Sequence, residues 1–198
     1  MKKCLKIGIT GGIASGKSEV SSYLRRIGYV VFSCDEINAS LWCDEEYLKK
    51  LQNLFPECVY EGKIDKNSLR KMIFASKEKR KILENIAHPL IIDKLFASMD
   101  EQTDTCFAEV PLLLECDLVD KFDKILVVMR GLEDRIGAIA QRDDCDNNLA
   151  LKKIESQFPY DAALMEGFFS NEKFCLIFNY SSLDQLYTQV NDFLEKLH

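Results

Sequence analysis

The chain has 198 residues, of which 47% are hydrophobic and 29% charged, a balance that suits one folded domain with an inserted subdomain and excludes global disorder. Its net charge of −6 at pH 7 opposes general binding to nucleic acid, so any phosphate-bearing ligand must be held by a local site. No run approaches the roughly 18 apolar residues that a membrane span needs, and the opening apolar stretch is too short for a signal peptide. We therefore predict a cytoplasmic protein with no nucleic acid or membrane partner.

Apolar runs that end in glycine or polar residues predict five buried strands, at residues 5–9, 29–32, 105–110, 124–129 and 174–178. Helical spacing predicts helices at residues 18–27 and 183–197. Residues 36–99 have a charged helical pattern with no strand and a break at Pro89, and residues 132–157 form a polar helical stretch. Short crossovers between strands imply a parallel sheet, so we predict an α/β fold with a parallel five-stranded sheet between helices and a helical insertion.

Eight cysteines are scattered without a C-x-x-C pair. This spacing lacks a disulfide or zinc signature, and we predict free thiols, with Cys4, Cys106 and Cys175 as small core residues. The chain has two histidines, which nearly excludes a multi-histidine metal site.

Residues 11–18 match the phosphate-binding motif G-x-x-x-x-G-K-[ST] at every fixed position, after a predicted strand and before a predicted helix. Glycines let the backbone N–H groups point at phosphates, and the helix that begins near Lys17 adds its positive end. The Lys17 charge suits the β- and γ-phosphates of ATP, and the Ser18 hydroxyl suits Mg²⁺. The alternative is a glycine-rich turn with an exposed lysine, which the flanking strand and helix disfavour. The predicted ATP-binding residues are Gly11, Gly12, Ile13, Ala14, Ser15, Gly16, Lys17 and Ser18.

This motif defines a P-loop and predicts a P-loop NTPase-type, three-layer α/β/α fold. The chain lacks the N-K-x-D motif of GTPases, the proline of adenylate kinase-like loops and the Gly-Gly-Gly substrate loop of shikimate kinase.

Further stretches resemble, in order along the chain, motifs of the dephospho-coenzyme A kinase family. They run from residue 7 to about 157 and are together more specific than a P-loop alone. They are T-G-G-I-x-S-G-K-S at 10–18, the second Asp of D-A-D at Asp35, a helical segment ending in H-P at 88–89, P-L-L-x-E at 111–115 and Q-R-D at 141–143.

The resemblance implies that ATP, with Mg²⁺, phosphorylates the ribose 3′-hydroxyl of dephospho-CoA to give coenzyme A. It also implies one P-loop kinase domain over residues 1–198, with a core at 1–35, 103–131 and 172–198. In this arrangement residues 36–100 are a substrate-binding insertion and residues 132–165 a lid.

Three charged residues outside the loop are candidates for the chemistry. A sugar hydroxyl benefits from a carboxylate that accepts its proton, and Asp35 suits this role because we expect it at the end of a strand next to the P-loop strand, facing the γ-phosphate. The alternative for Asp35 is a helix N-cap, and the two roles are compatible. Glu109 stands where P-loop proteins place an acid near Mg²⁺, or is an edge or cap carboxylate. Arg142 is the candidate lid arginine, or else a surface partner of Asp143 or Asp144.

The resemblance gives His88, Pro111, Leu112 and Glu115 as candidate substrate contacts, and Arg80, in the charged run 77–81, is a further candidate for a substrate phosphate. The alternatives are a structural role for His88, the orientation of neighbouring groups for Glu115 and a solvated helix face for Arg80.

The chain departs from the family pattern at several positions. Ser33 stands in place of the first Asp of D-A-D, the basic residue expected near Ala163 is absent, and the closing N-x-G is reduced to Asn179-Tyr180-Ser181. Two other functions therefore stay open: a P-loop kinase that acts on another small-molecule hydroxyl, and an ATP-binding regulator without turnover.

Overall fold

The computed structural model describes residues 4–197, which form two compact units. The core unit comprises the described residues up to Phe32 and from Glu101 onward, and the helical unit comprises Ser33–Asp100. No helix within residues 4–197 is both long and apolar enough to cross a membrane.

Strands and helices are interspersed along residues 4–197. The strands are β1 (Lys6–Thr10), β2 (Val30–Ser33), β3 (Val59–Tyr60), β4 (Lys63–Ile64), β5 (Cys106–Glu109), β6 (Lys124–Met129) and β7 (Phe174–Phe178). The helices are α1 (Lys17–Arg26), α2 (Cys34–Leu41), α3 (Glu45–Leu54), α4 (Lys66–Ala75), α5 (Lys77–Asp100), α6 (Leu132–Asp143), α7 (Asn147–Glu155), α8 (Tyr160–Met165) and α9 (Leu183–Glu195).

The main sheet has five strands in the order β2-β5-β1-β6-β7. Strand β1 pairs in parallel with β5 and β6, and β6 pairs in parallel with β7. The predicted parallel sheet and its five strands are confirmed. The expectation that the second strand lies next to the P-loop strand is wrong, because β5 lies between β2 and β1.

The middle strands supply the core of the sheet. Alternate residues of a strand share a face, and Ile7 and Ile9 of β1 are buried in one cluster with Leu126 and Val128 of β6. Helices α1 and α9 complete this cluster with Val20, Leu24, Leu186, Val190, Phe193 and Leu194. The buried cluster fixes β1 and α1, and therefore fixes both ends of the loop between them.

The helical unit has a separate hydrophobic cluster, which includes Leu41, Leu51, Phe55, Leu69 and Ile91. It also contains the antiparallel hairpin β3–β4, so the expectation of no strand in this segment is wrong. Each strand has only two residues, too few for an alternating pattern to show in the sequence. The turn is made by Glu61 and Gly62, both in the left-handed region with φ of 48° and 74°.

Helix α5 continues through Pro89, where the sequence predicts a break. Proline removes one helical hydrogen bond, but tertiary packing can hold a helix across it. Ala87 and Ile91, on either side of the proline, are both buried in the cluster of the helical unit. Their burial favours the continuous helix.

All eight cysteines are free thiols, as predicted. Cys106 is buried, whereas Cys4 and Cys175 are half-buried, so only the first is fully a core residue.

Candidate functional site

The loop between β1 and α1 contains the predicted phosphate-binding motif. Gly16 caps α1 with φ of 104°, a conformation that favours glycine. A Cβ atom at Gly16 would lie 2.4 Å from Asn179 Nδ2, and one at Gly12 would lie 2.4 Å from Arg135 Nη2. Any larger residue at either position would clash, because the side chains of Asn179 and Arg135 pack directly against the loop.

Lys17 is only 9% exposed, and its ammonium group faces the loop. Its Nζ atom donates to the carbonyl oxygens of Gly11 and Gly12 at 2.8 and 3.0 Å. Within residues 4–197, the buried Ser15 hydroxyl has no hydrogen-bond partner. A buried cation and an unpartnered buried hydroxyl in one loop suit an anionic ligand with several oxygen atoms.

The two predicted metal-binding residues lie together. Ser18 Oγ donates to Glu109 Oε1 at 2.8 Å, and Glu109 is the last residue of β5. Because β5 lies between β2 and β1, Glu109 is not on an edge strand, so the edge part of its alternative is wrong and the cap part stays open. A hydroxyl and a carboxylate are hard oxygen donors, and Mg²⁺ uses one or two such protein ligands beside phosphate oxygens and water. The residues present fit this ion.

Residues 157–161 contact the P-loop and the turn after β5. Gln157 Oε1 accepts from Ile13 N–H at 2.6 Å, and Glu115 Oε1 accepts from Phe158 N–H at 2.9 Å. Glu115 therefore orients a neighbouring backbone group, which was one of its two predicted roles.

The Tyr160 and Thr10 hydroxyl oxygens are 3.0 Å apart in the same region. Burial raises the pKa of Tyr160 to about 12, so its phenol stays neutral.

Arg135 is a site residue that the sequence analysis missed. It is 3% exposed, its Nε donates to Ile13 O at 3.1 Å, and its Nη1 pairs with Asp161 at 3.3 Å. Burial lowers the pKa of Arg135, and the Asp161 charge opposes that shift. A charged residue four positions before the buried Ile139 of α6, on the same helix face, is the signal that points to it.

Arg142, at the end of α6, is half-exposed and forms two hydrogen bonds to Asp143, at 2.8 and 3.1 Å. Lys153 of α7 donates to the same carboxylate at 2.6 Å. The Arg142 and Lys153 hydrogen bonds hold the pKa of Asp143 well below its usual range. The surface pairing offered as an alternative for Arg142 is thus present, and its role as a lid arginine stays a prediction.

Other predicted residues belong to the helical unit. Asp35 is the second residue of α2, and the cap of that helix is Ser33, whose hydroxyl accepts from Glu36 N–H at 3.4 Å. The N-cap alternative for Asp35 is therefore wrong. Arg80 and His88 both lie on α5.

The remaining two candidates, Pro111 and Leu112, are half-buried in the turn that follows β5 in the core unit. Their contacts with substrate stay a prediction.

A P-loop between the first strand and helix of a parallel sheet, with a serine–carboxylate pair beside it, defines a protein of the P-loop NTPase class. A sequence model of the dephospho-CoA kinase family matches residues 5–167. The chain belongs to this family, and it is a kinase. The resemblance that the sequence motifs indicate is confirmed.

Two dephospho-CoA kinases are similar in sequence over most of the chain. The dephospho-CoA kinase of Fusobacterium nucleatum is 34% identical over 195 residues, covering 96% of this chain and 97% of that protein. The dephospho-CoA kinase of Coxiella burnetii is 34% identical over 165 residues, covering 81% and 83%.

Two solved structures are also similar. The crystal structure of TT1252 from Thermus thermophilus has a TM-score of 0.80, with 30% identity and 100% of each chain covered. Dephospho-CoA kinase from Campylobacter jejuni has a TM-score of 0.70, with 25% identity, covering 97% of this chain and 96% of that one.

Proposed function

We propose that this chain transfers the γ-phosphoryl group of ATP to the ribose 3′-hydroxyl of dephospho-CoA, giving coenzyme A and ADP. The observation that carries the proposal is the buried Lys17 in a P-loop beside the Ser18–Glu109 pair, on a chain of this family. The bond from the 3′-oxygen to the γ-phosphorus forms, and the bond from that phosphorus to the β–γ bridging oxygen breaks. Its electron pair leaves with ADP.

Lys17 provides the positive charge for the transferred group. Its Nζ atom donates to two loop carbonyls, and phosphate oxygens are stronger acceptors for the same protons. The ammonium group is already buried beside the loop, so little reorganisation is needed when charge develops on the phosphoryl group. Ser18 and Glu109 would hold Mg²⁺, which when bound supplies charge that neutralises the phosphate oxygens.

Asp35 is the proposed base that accepts the proton of the 3′-hydroxyl. Strand β2 is not adjacent to β1, so the proposal rests on the family motif at Asp35 and on its exposed carboxylate, which does not cap α2. Arg142 is the proposed lid arginine, which would exchange Asp143 for the transferring phosphoryl group. The proposed substrate contacts are His88, Arg80, Pro111, Leu112 and Glu115, on α5 and in the turn after β5.

The direct test is incubation of the purified chain with ATP, Mg²⁺ and dephospho-CoA, with coenzyme A and ADP measured by mass spectrometry. We expect both products in equal amounts. The Lys17→Ala variant should turn over at least about a hundredfold more slowly, because it loses a charge placed for the transition state.

The same experiment separates the alternatives. ATP turnover with another hydroxyl acceptor but none with dephospho-CoA would indicate a different small-molecule kinase. Binding of ATP without transfer in a single turnover would indicate a regulator.

A further inference from the structure

We propose that three side chains outside the P-loop position it by holding the carbonyl oxygens of residues 13–15, and we name this set the carbonyl clamp. The inference rests on the proposed function, because it assigns positioning residues to the same ATP site. Each carbonyl has a different donor from a different part of the core unit. Arg135 Nε donates to Ile13 O at 3.1 Å, Arg130 Nη1 to Ala14 O at 3.3 Å and Asn179 Nδ2 to Ser15 O at 3.0 Å.

The clamp matters because of peptide geometry. In a planar trans peptide the C=O group and the following N–H group point in opposite directions. A carbonyl that is drawn outward therefore turns the next N–H group inward. The bonds to Ile13 O and Ser15 O set the directions of the Ala14 and Gly16 N–H groups, whereas Ser15 N–H is used within the loop, on Gly12 O at 3.1 Å. The inward N–H groups are donors for phosphate oxygens.

The loop needs such support because its backbone is unusual. Ala14 has φ of 60°, a left-handed conformation that a residue with a Cβ atom rarely adopts, and Gly16 has φ of 104°. Conformations of this kind persist only where the surroundings determine them. The clamp holds the loop in this conformation before ATP binds, so ATP binding does not pay the entropy cost of ordering the loop.

Arg135 is the best-anchored member of the clamp. Its side chain is almost completely buried, while its partner Asp161 is about half exposed, so the ion pair alone does not explain why a guanidinium is buried here. Gln157 accepts the N–H of the same loop residue, Ile13, whose carbonyl Arg135 holds. Ile13 is thus fixed from both sides by side chains more than a hundred positions away in the chain.

The test replaces one donor without changing side-chain shape. Asn179→Asp substitutes an oxygen that repels Ser15 O for the Nδ2 donor. We expect the Kd for ATP, measured by calorimetry, to rise at least about fivefold, the effect of losing one hydrogen bond. The matched control is Asn171→Asp, before the same strand, where the side-chain oxygen accepts from Lys173 N–H and an aspartate can do the same. The control should bind ATP as the wild type does.

A phosphate-only probe separates loop positioning from contact with the adenine ring. We expect Asn179→Asp to weaken binding of inorganic tripolyphosphate with Mg²⁺ by the same factor as binding of ATP. Loss of ATP affinity with unchanged tripolyphosphate affinity would overturn the clamp, since it would place Asn179 on the base instead.

Substitutions at Arg135 and its partner Asp161 provide a second, independent test, in case Asn179→Asp does not fold. We expect Arg135→Lys to raise the KM for ATP severalfold with kcat at saturating ATP nearly unchanged, because one ammonium cannot hold both Ile13 O and Asp161. Asp161→Asn keeps the bond to Ile13 and should leave this KM unchanged. Equal effects of the two variants would show that only the ion pair matters, and the clamp would be wrong.

Measurements on the wild-type chain distinguish a failure of the clamp proposal from a failure of the proposed function. A wild-type chain that binds neither ATP nor tripolyphosphate would overturn the proposed function itself. A wild-type chain that binds both, with Asn179→Asp folded and equal to it in both affinities, would overturn only the clamp.

Discussion

Asp35 is the residue for which one substitution best separates a role in catalysis from a structural role. Ser33 caps α2, so Asp35→Asn leaves the cap in place and removes the carboxylate that would accept the proton. We expect the single-turnover rate of phosphoryl transfer to fall by about 10²–10⁴-fold, the usual contribution of a general base. The Kd for ATP should stay within a few-fold of the wild-type value.

The matched control is Glu36→Gln, which makes the same charge change at the next position of the first turn of α2. Both substitutions alter the interaction with the helix dipole to a similar extent. An equal loss of rate in both variants would assign the effect to helix charge and would exclude a base role for Asp35.

Ser33 is the departure from the family pattern that bears on magnesium. The family pattern has an aspartate here, two residues before Asp35, and a carboxylate can attract Mg²⁺ directly or through water. Serine and aspartate both cap helices well, so Ser33→Asp should keep the Ser33–Glu36 cap. We expect this variant to reach half-maximal rate at a Mg²⁺ concentration lower by up to about tenfold, the effect typical of a side chain that supports a metal ion without binding it directly.

A magnesium titration of coenzyme A formation measures this effect, with Ser33→Asn as the control that caps without charge. Identical magnesium curves for wild type and Ser33→Asp would show that position 33 has no metal role.

The site residues that the sequence predicts are those that belong to a contiguous motif with a recognisable strand and helix on either side. Residues 11–18 form a contiguous motif between a strand and a helix, and Lys17 and Ser18 lie where the motif predicts. Arg135 and Arg130 act on the loop from more than a hundred residues away, and no local spacing encodes such contacts. Ser33 as the cap of α2 was missed because the sequence analysis considered Asp35 as the possible N-cap of this helix.

At the scale of elements, α6 and α7 decide whether the predicted lid takes part in catalysis. Arg142 of α6 and Lys153 of α7 bind the same Asp143 carboxylate, so they are equivalent as surface ion pairs. We expect Arg142→Gln to slow phosphoryl transfer by at least about a hundredfold, as the loss of a transition-state donor does, and Lys153→Gln to change the rate less than twofold. Rates measured at saturating ATP and dephospho-CoA provide the comparison. Two small and similar effects would identify Arg142 as a surface residue only.

The elements that the sequence predicts well are those with long, regular patterns. Strands β6 and β7 have the predicted bounds, because each is a short apolar run bounded by polar residues, whether the strand is central like β6 or at the sheet edge like β7. The β3–β4 hairpin and the continuity of α5 through Pro89 were missed. Both depend on tertiary packing in the helical unit, which outweighs local preference.

At the scale of the whole molecule, the chain divides its predicted roles between two units with separate hydrophobic clusters. The P-loop and the Ser18–Glu109 pair belong to the core unit, whose cluster lies on the main sheet. Asp35, Arg80 and His88 belong to the helical unit, which has its own cluster. Because each unit has its own core, a ligand that binds one unit protects the backbone of that unit from local opening.

Hydrogen exchange with each ligand separately tests this division. We expect Mg²⁺–ADP to slow amide exchange around residues 11–18 and in α1, and dephospho-CoA without nucleotide to slow exchange in α2 and α5 of the helical unit. Lys17→Ala is the control, since it should remove most of the protection by Mg²⁺–ADP and leave that by dephospho-CoA intact. Protection by dephospho-CoA confined to the core unit would contradict the predicted substrate-binding insertion, because Arg80, His88 and Asp35 would then have no ligand to bind. Protection of α2 and α5 by dephospho-CoA but not by free pantetheine would assign the nucleotide end of the substrate to these helices, where the cationic Arg80 suits its diphosphate.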